Sequence, residues 1–174
     1  MDRASNNAGP RVRLRRLRAD DLSAFAAYRA DPVLARYQGW SPMSEEQALD
    51  FLLEMQSAPA FVAGEWFQLG IAAAEDDALL GDIGVCVHAE GHAEIGFTLA
   101  QAAQGRGLAT EAVGLLMALL FEWAEVQRIV GITDARNTAS VRLLQRLGMV
   151  HTQTLETVFR GGPCTEWVFE RVRT

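Results

Sequence analysis

The sequence predicts an α/β (α+β) fold, with a mixed, mostly antiparallel central sheet flanked by helices. Two observations predict it. Short apolar or alternating runs, typical of strands, follow one another with turn residues between them, and longer apolar stretches of helical length interrupt this series. The chain has 174 residues, a length that fits one domain with a sizeable core. We place that domain at residues 11–174, behind a flexible leader at residues 1–10.

The first half of the chain supplies four strands and two helices. Apolar residues alternate with arginines at Val12–Leu17, which indicates a half-exposed strand. The helix predicted at Ser44–Met55 opens with Ser44 and Gln47 at the spacing of a capping box. The remaining elements are a helix at Asp21–Arg29 and three successive strands at Trp66–Ala73, Ala78–His88 and Ala93–Leu99.

The second half begins with a long stretch, Ala109–Glu125, that is apolar on most sides and therefore predicts a helix buried against the sheet. A strand at Val126–Thr133 follows. A short amphipathic helix comes next, with Asn137 or Thr138 as its N-cap and Gly148 at its end. The final two strands form a hairpin, Val150–Phe159 and Cys164–Val172.

The composition excludes several classes of protein. A net charge of −6 disfavours nonspecific nucleic-acid binding, and no apolar run is long enough to span a membrane. The N-terminal residues carry Arg and Asn and no apolar stretch, so no secretory signal is expected. Two cysteines provide no disulfide framework, so a cytoplasmic location is the expectation.

The segment Gln104–Ala112 lies between a predicted strand and the N-terminus of the long helix. Its glycines let the backbone approach a ligand closely, the helix dipole favours negative charge, and Arg106 adds a positive one. A phosphate-bearing ligand is therefore the first hypothesis. The chain has no lysine, which excludes a P-loop, and the glycine spacing of a dinucleotide-binding Rossmann turn is absent.

The pattern Gln104-x-x-Gly107-x-Ala109 resembles the acetyl-CoA pyrophosphate loop of the GNAT superfamily of N-acetyltransferases. A second element of that superfamily follows in the right order, Asn137-x-x-Ser140 and then Gly148-Met149. The resemblance covers nearly the whole chain. The sequence is most similar to the RimJ/RimL type, the ribosomal-protein alanine N-acetyltransferases. These proteins begin with an Arg-Leu-Arg strand and carry a central motif like Glu94-Ile95-Gly96-Phe97.

The resemblance implies acetyl-CoA as the acetyl donor. Backbone groups of Phe97, Thr98 and Leu99 would meet the pantetheine arm, with Asn137 bonding the arm or holding the loop. The remaining expected cofactor residues form the turn: Gln104, Gly105, Arg106, Gly107, Leu108, Ala109 and Thr110.

Two residues are candidates for proton transfer. The resemblance implies that Ser140 is the general acid toward the departing thiolate, although a serine in a first turn also serves as a helix cap. Glu94 is the candidate general base, acting through water, with a solvated strand residue as the alternative. Glu156 and Glu166 are further carboxylates considered for that role.

The expected reaction is acetyl transfer to a primary amine, approached past Tyr37 and Trp40. The acceptor is either the α-amine of a protein or peptide, or a small amine, polyamine or drug. A fold that only binds acyl-CoA without catalysis is the alternative from another class. A homodimer is one arrangement that the resemblance implies. No metal site is expected, because His88 and His92 lack a convincing third ligand.

Overall fold

The computed structural model describes residues 7–123 and 125–174. Its strands form one seven-stranded sheet. They are β1 (Val12–Arg16), β2 (Trp66–Ala73), β3 (Leu79–His88), β4 (His92–Leu99), β5 (Arg128–Asp134), β6 (Val150–Phe159) and β7 (Gly162–Val172). The helices are α1 (Leu22–Arg29), α2 (Pro32–Ala35), α3 (Glu45–Ser57), α4 (Leu108–Glu122) and α5 (Thr138–Arg146). The predicted α/β fold with a mixed sheet is confirmed.

The strands lie in the order β1-β2-β3-β4-β5-β7-β6. Every neighbouring pair is antiparallel except β4 and β5, which are parallel. This exception follows from the chain path, because α4 connects β4 to β5 and a parallel pair needs such a crossover. The terminal hairpin then places β7 between β5 and the edge strand β6.

Side chains alternate between the two faces of the sheet, and different helices cover each face. Leu144 of α5 contacts Gly131 on β5, and α4 contacts α5, β1 and β4, so α4 and α5 share one face. The hydroxyl of Tyr28 on α1 donates to Asp82 on β3, which places α1 on the other face, with α3 beside it. The face that carries Asp82 is only partly covered, and it holds the site described below.

The structure changes a few element boundaries. The Asp-Pro segment forms the short helix α2, in which Asp31 accepts a hydrogen bond from Val33 N at 2.8 Å. Four residues are too few to show a helical period. The long helix ends at Glu122 rather than Glu125, because Trp123 adopts an extended backbone (φ −77°, ψ 113°).

Residues 1–6 of the predicted leader lie outside the described residues. The rest of that segment contacts β1: Leu14 N donates to Asn7 O at 2.8 Å, and Gly9 N donates to Val12 O at 2.8 Å. The division into leader and domain stays a prediction. Among the described residues, no helix combines the length and the apolar character needed to cross a membrane.

Candidate active site

Strands β4 and β5 separate halfway along their length and open a cleft. They pair from His92 and Arg128 as far as Ile95 and Gly131, and not beyond. Past that point, the Phe97 carbonyl accepts a hydrogen bond from Gln38 Nε2 at 3.2 Å, and the Leu99 carbonyl accepts one from Gln104 Nε2 at 2.9 Å. In the described part of the chain no strand occupies this side of β4 there, so an extended amide-bearing chain can bond to β4 as an added strand does.

The carbonyl of Thr98 points away from the cleft, toward β3. This carbonyl faces Gly81 on β3, and the Thr98 hydroxyl accepts a hydrogen bond from Trp40 Nε1 at 3.3 Å. Alternation along β4 explains the difference, because successive carbonyls point to opposite neighbours. The geometry therefore favours Phe97 and Leu99 over Thr98 for main-chain contacts in the cleft.

The turn that follows β4 has the geometry of an anion site. Gly105 and Gly107 both have left-handed backbones, with φ of 75° and 76°, a conformation that glycine adopts without strain. Gly107 is the N-cap of α4, and the N–H of Glu111 donates to its carbonyl at 3.1 Å. The three preceding helical N–H groups lack partners within the helix, as at any helix start. The predicted residues 104–110 are thus brought together at the helix N-terminus.

An arginine that sequence reasoning missed supports this turn. Arg11 Nη1 donates to the Arg106 carbonyl at 2.8 Å, and Arg11 Nε donates to Glu111 Oε2 at 2.7 Å. The Glu111 carboxylate also accepts from the backbone N–H groups of Arg11 and Val12. The pKa of Glu111 is lowered by these hydrogen bonds, against the opposing effect of burial. Arg11 therefore offsets the negative charge nearest the proposed anion site.

Asn137 and Ser140 lie together at the start of α5. Asn137 is the N-cap, and its Oδ1 accepts a hydrogen bond from Ser140 N at 3.3 Å. Both residues line a narrow extension of the cleft, a cavity of about 40 Å³, along with Phe97. The predicted cap is confirmed, and Ser140 faces the same space as the free side of β4.

A charged cluster at the end of β5 fixes the loop before α5. Arg136 donates to both carboxylate oxygens of Asp134, at 2.9 and 2.6 Å, and Cys164 Sγ donates to Asp134 Oδ2 at 3.2 Å. The Arg136 hydrogen bonds hold the pKa of Asp134 far below its usual range. This carboxylate stays ionised at neutral pH and keeps the loop in place.

A second and larger cavity, of about 510 Å³, adjoins the cleft on the partly covered face of the sheet. Tyr37, Gln38 and Phe97 line both spaces. Tyr37 and Trp40 lie on its wall, as the sequence predicts. The other aromatic walls are Phe51, Trp66 and Phe159. The sequence does not assign Phe51 or Trp66, and it leaves Phe159 open between the pocket wall and the core.

Two carboxylates, Glu94 and Glu166, face this cavity. Glu94 is half-buried, and burial raises its pKa, with the negative charge of Glu166 as a further cause and His88 opposing. A carboxylate in such surroundings holds a proton more strongly than usual. The third candidate, Glu156, does not line the cavity. It is exposed and accepts hydrogen bonds from the Thr165 hydroxyl at 3.0 and 2.9 Å.

The floor of the cavity is a buried ion pair. Arg29 Nη2 donates to Asp82 Oδ1 at 2.8 Å, and the Tyr28 hydroxyl donates to Asp82 Oδ2 at 2.5 Å. The Arg29 guanidinium also lies 4.4 Å from the centre of the Trp40 ring. Burial and the adjacent Asp82 carboxylate raise the pKa of Tyr28 well above its usual value, so Tyr28 remains a donor.

The loop that closes both spaces is held by the tip of the terminal hairpin. Arg160 Nη2 donates to three carbonyls of this loop, those of Ala35, Gln38 and Trp40, at 3.2, 3.3 and 2.7 Å. Sequence reasoning did not find this contact, because it joins positions 120 to 125 residues apart.

Comparison with known proteins agrees with this geometry. The family model described as Acetyltransferase (GNAT) domain matches residues 11–150. The N-acetyltransferase p20 of Bacillus licheniformis is 29% identical over 140 residues, which cover 79% of this chain and 78% of that protein.

Two solved structures share the fold. A GNAT-family acetyltransferase from Bacillus anthracis superposes with a TM-score of 0.85 at 19% identity, covering 95% of this chain and 97% of that one. RimL, a ribosomal L7/L12 α-N-protein acetyltransferase solved in complex with coenzyme A, superposes with a TM-score of 0.77 at 16% identity, covering 94% and 95% of the two chains. The family match spans most of the sequence and includes the cleft, the turn and α5, and the chain therefore belongs to the GNAT family of acetyltransferases.

Proposed function

We propose that this acetyltransferase uses acetyl-CoA to acetylate a primary amine, and that the amine is the N-terminal α-amine of a protein or peptide. The proposal depends on one observation, that the cleft between β4 and β5 opens into the acceptor cavity. A cleft whose main-chain carbonyls are bonded only by the side chains of Gln38 and Gln104 meets a cavity that holds a half-buried carboxylate, Glu94. Such an arrangement brings a thioester and an amine together with a proton acceptor beside them.

The cleft and its turn suit the donor. The pantetheine amides would bond to the Phe97 and Leu99 carbonyls in place of the side chains of Gln38 and Gln104. The pyrophosphate would lie on the N-terminus of α4, where backbone N–H groups and the helix dipole favour an anion. A side chain at Gly105 would meet no neighbouring atom within 4 Å, and one at Gly107 would meet only Arg11 Nη2, at 3.5 Å.

The acceptor cavity suits an amine. Its aromatic walls and its two carboxylates, Glu94 and Glu166, attract a cation. The Asp82 charge is already offset by Arg29. These features favour binding of the ammonium form, followed by loss of its proton within the cavity.

Bound acetyl-CoA supplies the acetyl group as a thioester. The neutral amine forms the new C–N bond at the thioester carbonyl carbon, and the C–S bond breaks. Glu94 accepts the proton that the nitrogen loses, directly or through water. The Ser140 hydroxyl donates a proton to the departing sulfur and regains one from solvent. General acid–base catalysis of this kind contributes about 10²–10⁴ to the rate.

The ionisation of the acceptor amine favours an α-amine. An N-terminal amine, with a pKa of about 7.7–8.0, is neutral in about a quarter of molecules at pH 7.4, whereas a lysine-type amine near 10.4 is neutral in about one in a thousand. The free energy needed to deprotonate the two amines differs by about 3.5 kcal/mol. A single half-buried carboxylate therefore has less to contribute when the acceptor is an α-amine. RimL, whose fold this chain shares, is named for an α-N-protein acetylation.

The test is a thiol-release assay with acetyl-CoA against a panel of acceptors. We expect turnover of Ala- or Ser-starting peptides, none of the same peptides with blocked N-termini, and a rate that rises with pH and levels off near the amine pKa of about 8. If the enzyme acetylates a polyamine or an aminoglycoside but none of the peptides, the α-amine acceptor is rejected and the assignment as an acetyltransferase stands. Acetyl-CoA binding without turnover of any amine would support a binding role alone.

The donor site has its own test, Gly107→Asp, which places a side chain and a negative charge at the turn. We expect acetyl-CoA affinity by calorimetry to fall at least about tenfold, since charge-assisted hydrogen bonds are the strong ones. Gly64→Asp is the matched control, because Gly64 also has a left-handed backbone, with φ of 82°, and open space around it. Unchanged affinity in a folded Gly107→Asp variant would remove the pyrophosphate from this turn.

A further inference from the structure

Three side chains with metal-binding groups converge at the end of the β3–β4 hairpin. His88 and His92 are paired directly across the two strands, and Glu90 lies in the turn between them. One ligand atom from each of the three residues lies within 4.8 Å of the others. The sequence shows two histidines four apart, and the structure adds the carboxylate that the spacing alone did not place.

Both imidazoles also carry a buried nitrogen without a partner. Among the described residues, His88 Nε2 and His92 Nδ1 are shielded from solvent and make no hydrogen bond. The rings stack, with centroids 4.3 Å apart and planes 9° from parallel. A buried polar atom without a partner is costly and calls for an explanation such as a bound ion.

We propose that His88, His92 and Glu90 bind a divalent transition-metal ion of the zinc class. One nitrogen of each imidazole and one carboxylate oxygen are the donors, which leaves a position for water in a tetrahedral site. Imidazole nitrogen with carboxylate oxygen is a donor set that suits Zn²⁺. Bonds of about 2.0–2.1 Å place donors about 3.3 Å apart, so the cluster contracts modestly and the rings turn out of their stacked arrangement.

Charged side chains of two neighbouring strands, β5 and β7, lie near the cluster. Arg128 lies beside the cluster, and Glu170 offsets part of its charge, with 3.5 Å between Arg128 Nη1 and Glu170 Oε1.

An ion at this place would join the ends of two central strands across their turn. Gly91, with φ of 79°, lets the turn reverse in three residues, so the histidines stay opposite each other. His92 and Glu94 point to the same face of the sheet, as residues two apart on a strand do. The site therefore lies on the same face of the sheet as the acceptor cavity, and none of its three residues is among those assigned to acetyl transfer or to the cavity wall.

The test measures binding directly in tag-free protein. We expect Zn²⁺ titrated by calorimetry to bind one equivalent, Co²⁺ to produce the visible d–d absorption of a tetrahedral site, and the Tm to rise with Zn²⁺. His88→Gln and Glu90→Gln should each weaken Zn²⁺ at least about tenfold, the lower end of the loss seen when a supporting residue of a metal site is removed. Glu90→Gln changes an exposed turn residue, so it guards against misfolding of the histidine variant.

His151→Gln is the matched control, because this third histidine lies on β6 and contacts Gln153 and Thr154 instead. It should bind Zn²⁺ as the parent protein does. The proposal is overturned if the folded parent protein binds neither ion, or if Zn²⁺ affinity survives in both His88→Gln and Glu90→Gln. A thiolate-to-Co²⁺ charge-transfer band would also overturn this donor set, since it would point to the nearby Cys86.

Discussion

Asp82→Asn is the substitution for which the structure supports the largest effect. It removes the only anionic partner that the described residues offer to Arg29, whose side chain is 2% exposed against 3% for Asp82. Removing one member of a buried ion pair costs about 3–5 kcal/mol, because the other charge stays buried without compensation. The Trp40 ring, 4.4 Å away, recovers a part of this, about 1 kcal/mol. We therefore expect a loss of about 3 kcal/mol in the free energy of unfolding.

The assay is urea denaturation with linear extrapolation, checked for an unchanged m-value. In a chain of this length the loss corresponds to a fall in Tm of about 10 °C. The acceptor KM should also rise, because the pair forms the cavity floor. Arg18→Gln is the control: Arg18 also pairs with an aspartate, Asp77, but its side chain is 51% exposed, so less than about 1 kcal/mol is expected.

A double variant separates charge from packing. Arg29→Met combined with Asp82→Asn leaves no charge to bury, and replacing a whole buried pair is often neutral or stabilising. We expect it to recover most of the stability that Asp82→Asn loses. The reasoning is refuted if the single variant loses less than about 1 kcal/mol, or if the double variant is no more stable than the single one.

Three further substitutions test the site. Arg11→Gln should weaken acetyl-CoA binding about tenfold, because it removes charge-assisted hydrogen bonds that hold the pyrophosphate turn. Activity with an acetyl thioester that lacks phosphate groups should stay unchanged. An equal loss of activity with acetyl-CoA and with this thioester would contradict the role of Arg11. Arg18→Gln is the matched control, because Arg18 is as exposed as Arg11 but pairs with Asp77 instead of Glu111. Glu94→Gln should lower kcat by about 10²–10⁴, whereas Glu156→Gln should leave kcat unchanged, and equal rates in the two variants would exclude Glu94 as the base. Ser140→Ala should lower kcat while the Kd for acetyl-CoA stays nearly the same, and wild-type turnover would leave Ser140 as part of a helix start only.

The parts of the site that the sequence predicted are local in the chain. The turn at residues 104–110 and the pair Asn137 and Ser140 are visible because each combines glycine or capping chemistry with a strand-to-helix junction. Their local geometry follows from a few neighbouring residues. The structure confirms the cap and shows that both glycines of the turn have left-handed backbones. Whether these residues bind the donor and catalyse transfer stays a prediction.

The parts that the sequence did not reveal depend on contacts between distant segments. Arg11 meets Glu111 across 100 residues, and Arg29 meets Asp82 across 53. The positions of arginines and aspartates in the sequence do not show which residues will form ion pairs, because the pairing depends on strand register. The same holds for Thr98, whose carbonyl direction follows from its pairing with β3. The position of Trp66 and Phe51 on a cavity wall rather than within the core likewise depends on how α3 and β2 meet.

The separation of β4 from β5 has a consequence for cooperativity. Among the described residues, β4 and β5 pair from His92 and Arg128 to Ile95 and Gly131, with one further main-chain hydrogen bond from Gln127 N to Gly91 O at 2.8 Å. This short stretch joins the four N-terminal strands to the three C-terminal ones. The chain thus resembles two sheets that share a short seam, and we expect the C-terminal strands to open locally more readily than the N-terminal ones. Amide hydrogen exchange in β5 and β7 should therefore be faster than in β2 and β3 without ligand, and should slow when acetyl-CoA fills the gap. In that sense the substrate would act as an eighth strand, and its departure after each turnover would loosen one half of the molecule against the other.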